Sequence, residues 1–429
     1  MKVLTGMIRP YAWGSRTAIA ELQGRPTPSA HPEAELWFGA HPASPARLEG
    51  ETGDLLSMID ADPVAALGEP TARAYEARLP FLVKILAADE ALSLQAHPSA
   101  EQARVGFDAE NRAGLAADDP RRNYRDSWHK PEIVVALDDD FEALAGFRDP
   151  AETVELLRSL QVPGLDSALG MLAGSPDADG LRAVFTTWLT LPERVITELV
   201  PEVLNGAVAV LGRGETRFAD ELRAVLELGE AYPNDPGVLA ALLLNFLRMR
   251  AGEAIYLPAG NLHAYLRGTA IEAMANSDNV LRGGLTPKHI DVPELLRVLD
   301  FRPVSRGTLM PAVRSVGAER VYLTPAPEFL LSRIELDGTG LRLPSSVSFD
   351  MPGPQILTVT SGRIEVTGAD GERAVVDRGE ALWLSDADSD VSVHAASAHA
   401  IFFRSRVPLE APDRAAANAV NGDTELTGG

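Results

Sequence analysis

The apolar residues of this chain change their period twice, and that change limits the fold to a strand-rich protein interrupted by a helical block. Over residues 1–99 the pattern is of short strands and turns, punctuated by Pro10, Gly14, Pro32 and Pro42. Residues 80–86 form an apolar run with one lysine, Lys84, at its centre. Residues 91–97 alternate, as a strand with one polar face does. Between about 150 and 250 the spacing becomes helical, at 152–158, 218–226 and 238–249. The last of these is expected to be a buried core helix, since it is too short to span a bilayer. Strands resume at Gly252.

There the chain echoes itself. Gly252-Glu-Ala-Ile-Tyr-Leu257 matches Gly379-Glu-Ala-Leu-Trp-Leu384, in each case a Gly-Glu turn leading into a short apolar strand. Two copies of one β-unit are expected, as two small barrels. The copies diverge: His263 follows the first, and Asp390 stands at the equivalent place after the second. A metal held by the first copy is therefore not expected in the second.

Length and charge narrow the function. The 429 residues suffice for two or three domains. There is no cysteine, which removes disulfides and thiolate metal sites. The first fifteen residues lack the apolar core of a secretory signal, so a cytoplasmic location is expected. A net charge of −22 argues against nucleic acid or an anionic membrane as partner. An anionic small molecule would need a local cluster of cations. Only four of the 39 basic residues are lysines (Lys2, Lys84, Lys130 and Lys288), and three of them fall in the densest polar motifs. Lysine is a compact charge with a tunable pKa, a role that arginine does not fill.

Three motifs carry metal-binding chemistry. In Leu92-Ser-Leu-Gln95-Ala-His97-Pro98, period two places Ser93, Gln95 and His97 on one face of a strand. In His129-Lys130-Pro131-Glu132 a carboxylate stands at the mouth of an apolar strand, and Asn261-Leu262-His263-Ala264-Tyr265 follows another. Gln95, His97, Glu132 and His263 together offer two imidazoles, a carboxylate and an amide oxygen, donors that suit zinc. With one charged ligand the ion remains a strong Lewis acid. The richest polar segment, residues 272–291, gathers Glu272, Asp278, Arg282 and Lys288 around Gly283-Gly284 and reads as a site loop.

These motifs, with Tyr11-Ala-Trp13-Gly14 and Ala34-Glu35-Leu-Trp37-Phe-Gly39-Ala-His41-Pro42, resemble those of the type I mannose-6-phosphate isomerase family over roughly the first 300 residues. The family usually has asparagine before His-Lys-Pro-Glu, where this chain has Trp128. The resemblance implies a mainly β fold: a cupin-like β-barrel (jelly roll), a helical insertion and a second cupin-like β-domain. The expected divisions are 1–150 and 251–310 for the catalytic domain, 151–250 for the insertion, 311–408 for the second β-domain and 409–429 for a disordered tail. It implies one zinc per chain at Gln95, His97, Glu132 and His263, and interconversion of mannose 6-phosphate and fructose 6-phosphate through an enediolate. Arg282, Glu272 and Lys130 are the expected catalytic residues. Ser93, Lys84, Tyr265, Asp278, Lys288 and Trp13 are the expected substrate contacts, with phosphate near Ser93 and Lys84 or Lys288. The expected partner is a sugar phosphate, with no nucleic acid, membrane or obligate protein partner. Two other readings stay open: a non-haem iron cupin oxygenase and a non-catalytic sugar-binding cupin.

Overall fold

The computed structural model describes residues 1–408 apart from Glu215, Met351 and Ser389, so the expected tail 409–429 lies outside the described residues. One strand, His263–Ala275, organises the site-bearing half. Its later part lies between Phe81–Ala88 and Glu132–Ala136, in a sheet that runs on to Glu35–Phe38 and Met7–Arg9. Its first part instead pairs with Phe141–Phe147 and meets the short strand Leu94–Ala96. The change of partners falls at Gly268, whose φ of +106° suits glycine, and where a Cβ would lie 2.8 Å from the Phe141 backbone. The result is two sheets hinged on one long strand. Among the described residues their hydrogen bonding does not close into a ring, so the jelly roll is realised as an open pair of sheets.

Phe81–Ala88 is buried along its whole length. Val83 and Ile85 pack with Leu36, Phe38 and Ile271, and with Tyr322, Ile356, Trp383 and Phe403 from the C-terminal half. Leu82 faces the other way, against Trp37 and Met274. Lys84 points the same way as Leu82, because successive side chains alternate. The first hundred residues also hold four short helices that the strand-and-turn reading did not foresee: Ala18–Leu22, Leu55–Ala61, Pro63–Leu67 and Glu69–Ala74. Their start signals are plain in hindsight. Asp54 and Asp62 each cap the first turn by accepting a backbone N–H, and Pro63 occupies a first-turn position.

The helical block comprises Pro150–Leu160, Asp166–Gly174, Ala178–Leu189, Glu193–Gly212 and Ala219–Ala231. Leu156, Leu181, Phe185, Trp188, Val203 and Leu222 form its core. Helix Glu193–Gly212 has the length and mean hydropathy (1.5) to cross a bilayer. Its residues Leu199, Val200, Val203 and Ala207 are instead packed into that core. Residues 238–249 depart from the expected helix. Only Gly237–Ala241 is helical, and Leu244–Met249 is a strand paired with Phe141–Phe147. Residues 238–244 are all apolar and read equally as helix or strand, and pairing with Phe141–Phe147 draws residues 244–249 into the sheet.

The C-terminal half is a second pair of sheets. Eight strands run in the order Ala312–Val316, Glu319–Leu323, Leu330–Asp337, His399–Arg406, Gln355–Ser361, Ala381–Leu384, Lys2–Thr5 and Arg47–Leu48. Lys2–Thr5 thus belongs to this sheet and not to the one beside it in sequence. A four-stranded sheet covers one face, with Ile334, Leu357, Val366 and Phe402 between them. The sequence echo is a structural one. Gly252 and Gly379 both have positive φ, at +86° and +79°. Each donates its N–H to the neighbouring strand, to Ala136 and to Val359, at 2.8 Å. The following glutamates, Glu253 and Glu380, accept from those same residues at 3.0 Å. In this alignment Glu132, opposite Leu257, corresponds to Gln355, opposite Leu384.

Candidate active site

His97, Glu132 and His263 converge from both sheets. Glu132 begins a strand of one, His263 begins the long strand where it pairs in the other, and His97 directly follows the short strand Leu94–Ala96, which holds Gln95 but neither Ser93 nor His97. Glu132 Oε2 lies 3.3 Å from His97 Nε2 and 3.4 Å from His263 Nε2, and all three side chains are buried. The other ring nitrogens face backbone carbonyls: His97 Nδ1 donates to Asn279 O at 2.7 Å, and His263 Nδ1 to Asn261 O at 3.1 Å. Burial lowers the His97 pKa to about 4, so a neutral ring with Nδ1–H turns a lone pair at Nε2 towards Glu132. That Nε2 atom has no hydrogen-bond donor of its own. Lone pairs of two imidazoles and a carboxylate facing one another at such distances repel unless a cation sits among them. The residues therefore fit a metal of zinc's preferences. Gln95 joins them: it stands directly opposite His263 on one side and Arg282 on the other, and its amide donates to Ser93 Oγ at 3.2 Å.

Beside this group runs a chain of buried charges. Trp37, Lys84 and Glu272 occupy matching positions on three adjacent strands. Lys84 Nζ lies 2.5 Å from Glu272 Oε2 and 3.1 Å from Glu35 Oε1. Trp37 Nε1 donates to Glu35 Oε2 at 2.8 Å, and the Tyr265 hydroxyl to Glu272 Oε1 at 2.5 Å. Burial alone would lower the pKa of Lys84, but the carboxylates of Glu272, Glu35 and Glu132 hold it well above the ordinary lysine value. Glu272 is raised, by burial and by Glu132, against the pull of Lys84 and Lys130. Tyr265 is raised well above the usual phenol range by burial and by Glu272. Lys130 Nζ contacts Glu132 Oε1 at 2.9 Å.

Arg282 is not on a free loop. It lies on strand Leu281–Gly284, with a bulge between Arg282 and Gly284. Gly284 (φ +136°) lets the strand approach Gly237, where a Cβ would meet the partner Cα at 2.5 Å. Burial and the charge of Arg125 lower the Arg282 pKa, while burial, Arg282 and Arg125 lower that of Lys288. Three cations thus sense one another, and among the described residues none of them has an acidic side chain within ion-pair distance. Asp278 is engaged elsewhere, 3.3 Å from His41 Nε2. Trp13 stacks on Tyr11 and packs at the cluster that contains Leu92 and Tyr265. Trp13 reaches this region only through that apolar packing, while the other expected site residues are tied to it by polar contact, register or charge.

Some residues here were not singled out as functional from sequence. Glu35 was quoted only as part of a motif, though a carboxylate in an alternating strand beside Trp37 was a usable signal. Asn279 is fully buried. Its side chain accepts from Arg125 N (2.7 Å) and Asp126 N (3.2 Å) and donates to the carbonyls of Asp126 and Trp128, both at 2.8 Å. It thereby fastens residues 125–128 to the loop whose carbonyl orients His97. Trp128 offers one of the two carbonyls that accept from Asn279, while its ring packs near Tyr75 (6.3 Å) and under the Arg78 guanidinium (4.6 Å).

Residues 1–150 match the family model described as phosphomannose isomerase type I, catalytic domain. The chain is 38% identical to mannose-6-phosphate isomerase of Salmonella typhimurium over 396 residues, 91% of this chain and 96% of that one. It is 33% identical to the Bos taurus mannose-6-phosphate isomerase over 416 residues, 90% of this chain and 93% of that one. A crystal structure of mannose 6-phosphate isomerase bound with zinc and yttrium superposes with a TM-score of 0.85 at 36% identity, over 95% of this chain and 100% of that one. A zinc-bound holo structure of mannose 6-phosphate isomerase gives the same score at 35% identity, over 95% of this chain and 99% of that one. With identity of this degree along nearly its whole length, and a metal-ready site where the shared motifs meet, the chain belongs to the type I mannose-6-phosphate isomerase family.

Proposed function

We propose that this protein is a zinc-dependent aldose–ketose isomerase that interconverts D-mannose 6-phosphate and D-fructose 6-phosphate in the cytoplasm. The observation that carries the reading is the convergence of His97, Glu132 and His263 beside the buried Lys84–Glu272 pair. A two-part catalytic domain, a helical insertion and a second β-domain follow the divisions given above, except that Leu244–Met249 pairs into the catalytic sheets and Lys2–Thr5 and Arg47–Leu48 pair into the C-terminal one.

Moving the carbonyl between C1 and C2 requires a proton to leave one carbon and return at the other. His97, Glu132, His263 and Gln95 would hold the zinc, which when bound would supply Lewis acidity to the reaction. Glu272 carries the proton: its raised pKa brings it closer to the operating range of a general base, and Lys84 and Tyr265 fix its orientation. Arg282, one register step from Gln95, stabilises the negative charge of the enediolate. Lys130 holds Glu132 and adds positive charge at the same wall. The phosphate lies near Lys288, with Arg125 sharing its charge, since Lys84 is already committed to two carboxylates. Ser93, Asp278 and Trp13 complete the rim. Holding the phosphate at a distance keeps the reacting carbons in place.

The test is a coupled assay of purified protein on mannose 6-phosphate, with glucose 6-phosphate for comparison, before and after metal removal. Turnover of mannose 6-phosphate that vanishes with the metal and returns with zinc is expected. Equal turnover of glucose 6-phosphate, or none of either sugar, sinks the assignment.

A further inference from the structure

One buried side chain of the C-terminal half touches the segment that carries Lys130 and Glu132. Glu328 lies in the connection between Glu319–Leu323 and Leu330–Asp337, and it is 3% exposed. Its Oε1 accepts from His129 Nε2 at 2.6 Å. His129 is the residue before Lys130, in the tetrapeptide that ends at Glu132. The same connection is held a second time: the Tyr75 hydroxyl donates to Pro327 O at 2.6 Å, and Tyr75 packs near Trp128, the residue before His129.

Two further features separate this contact from ordinary interdomain packing. Glu328 Oε2 is buried with no hydrogen-bond partner. A half-satisfied buried carboxylate is a poor way to stabilise an interface, and an apolar residue there would serve better. The contact also falls on the chain path of residues 129–132, where Lys130 and Glu132 meet at 2.9 Å. A shift of the His129 backbone is passed directly to both.

We infer that Glu328 is a positioning residue: through His129 it sets where Lys130 and Glu132 stand, so the second β-domain tunes the site of the first. This rests on the isomerase reading for its kinetic arm and on the metal-site geometry alone for its second arm. The experiment compares zinc-loaded wild type with Glu328→Ala, Glu328→Gln, His129→Ala and the double variant Glu328→Ala/His129→Ala. Steady-state kinetics on mannose 6-phosphate, the rate of zinc release to a chromogenic chelator and thermal melts are measured for each.

Glu328→Ala is expected to lower kcat by about tenfold, the scale on which small misplacements act. Its KM should stay within about twofold, because the phosphate is held elsewhere. It should also release zinc faster. Glu328→Gln keeps an acceptor for His129 and should recover most of both. The double variant should be no worse than the poorer single one, since both remove the same contact. A lowered melting temperature with unchanged kcat and zinc release would overturn the proposal, as would losses that add in the double variant. If wild type itself does not isomerise the sugar, the functional reading fails, and unchanged zinc release would then overturn the contact independently.

Discussion

Lys84 and Glu272 face each other at one register position of adjacent strands, 2.5 Å apart, and Glu35 closes on the same ammonium from the other side. A lysine in an apolar strand is thereby converted from a charge offered to substrate into one that holds two carboxylates in place. Lys84→Met should leave Glu35 and Glu272 buried without their counter-charge and cost about 3–5 kcal/mol of stability. Its loss of activity should fall mainly on kcat. Lys288→Ala, by contrast, should raise KM by about tenfold or more with little change in melting temperature. If the two kinetic signatures are exchanged, Lys84 anchors phosphate after all.

The same ion pair sets a pH dependence. A lysine raised in the folded state contributes stability that is complete below its unfolded pKa, near 10.5. That stability is lost only as pH rises through the still higher folded value. The stability difference between wild type and Lys84→Met should therefore be flat from about pH 7 to about pH 10 and shrink above that. Denaturant titrations across this range measure it, and a difference that fades below pH 9 would contradict the pairing.

Metal removal should abolish turnover while leaving far-UV circular dichroism largely unchanged. The hydrophobic clusters that hold the sheets and the helical block do not run through His97, Glu132 or His263. Elemental analysis should give one zinc per chain. In the second copy, Gln355 replaces Glu132 and is committed to Arg404 Nε at 2.7 Å, while Asp390 is exposed. A stoichiometry of two would overturn this.

Arg282→Ala and Arg282→Lys should both lose at least ~100-fold in kcat, the scale for one preorganised charge-stabilising group. Both should fold and bind metal normally. A structural salt bridge to Asp278 or Asp291 is not made: Asp278 faces His41, and Asp291 caps Val292–Val298 and accepts from Asn123. Melting temperatures should accordingly stay close to wild type. Turnover by Arg282→Lys within threefold of wild type would end the catalytic assignment.

Asn279→Leu should destabilise the fold by a few kcal/mol, since two backbone N–H groups and two carbonyls lose their partner in a buried place. It should also weaken zinc binding by about 10–100-fold, as loss of an outer-shell support does. Calorimetry and competition with a chelator report the two effects separately. Unchanged zinc affinity would confine Asn279 to a packing role.

The three residues that converge, His97, Glu132 and His263, were legible because their chemistry is unusual where they stand. An imidazole two residues from an amide on an alternating strand, or a carboxylate opening an apolar one, has few ordinary explanations. Lys84 was equally conspicuous, yet its role was not, because Glu35 and Glu272 reach it only through strand pairing across 49 and 188 residues of chain. Residues 238–249 failed for another reason: 238–244 are all apolar, and so short a run reads as helix or strand alike. Arg125 and Glu328 sit in unremarkable local sequence, and only the folded chain brings them to the site.

The pairing of Lys2–Thr5 with Ala381–Leu384, Lys2 opposite Trp383, has a consequence for how the protein is made. During translation the first strand exists long before its partner. At ribosomal rates of about 5–20 residues per second, it waits roughly 20–75 s with that edge unpaired. That sheet can be completed only when residue 406, the end of its central strand His399–Arg406, has left the exit tunnel. A chain released earlier keeps an open strand edge carrying Leu4, a ready template for aggregation. Folding thus sews a segment made early into one made more than 370 residues later.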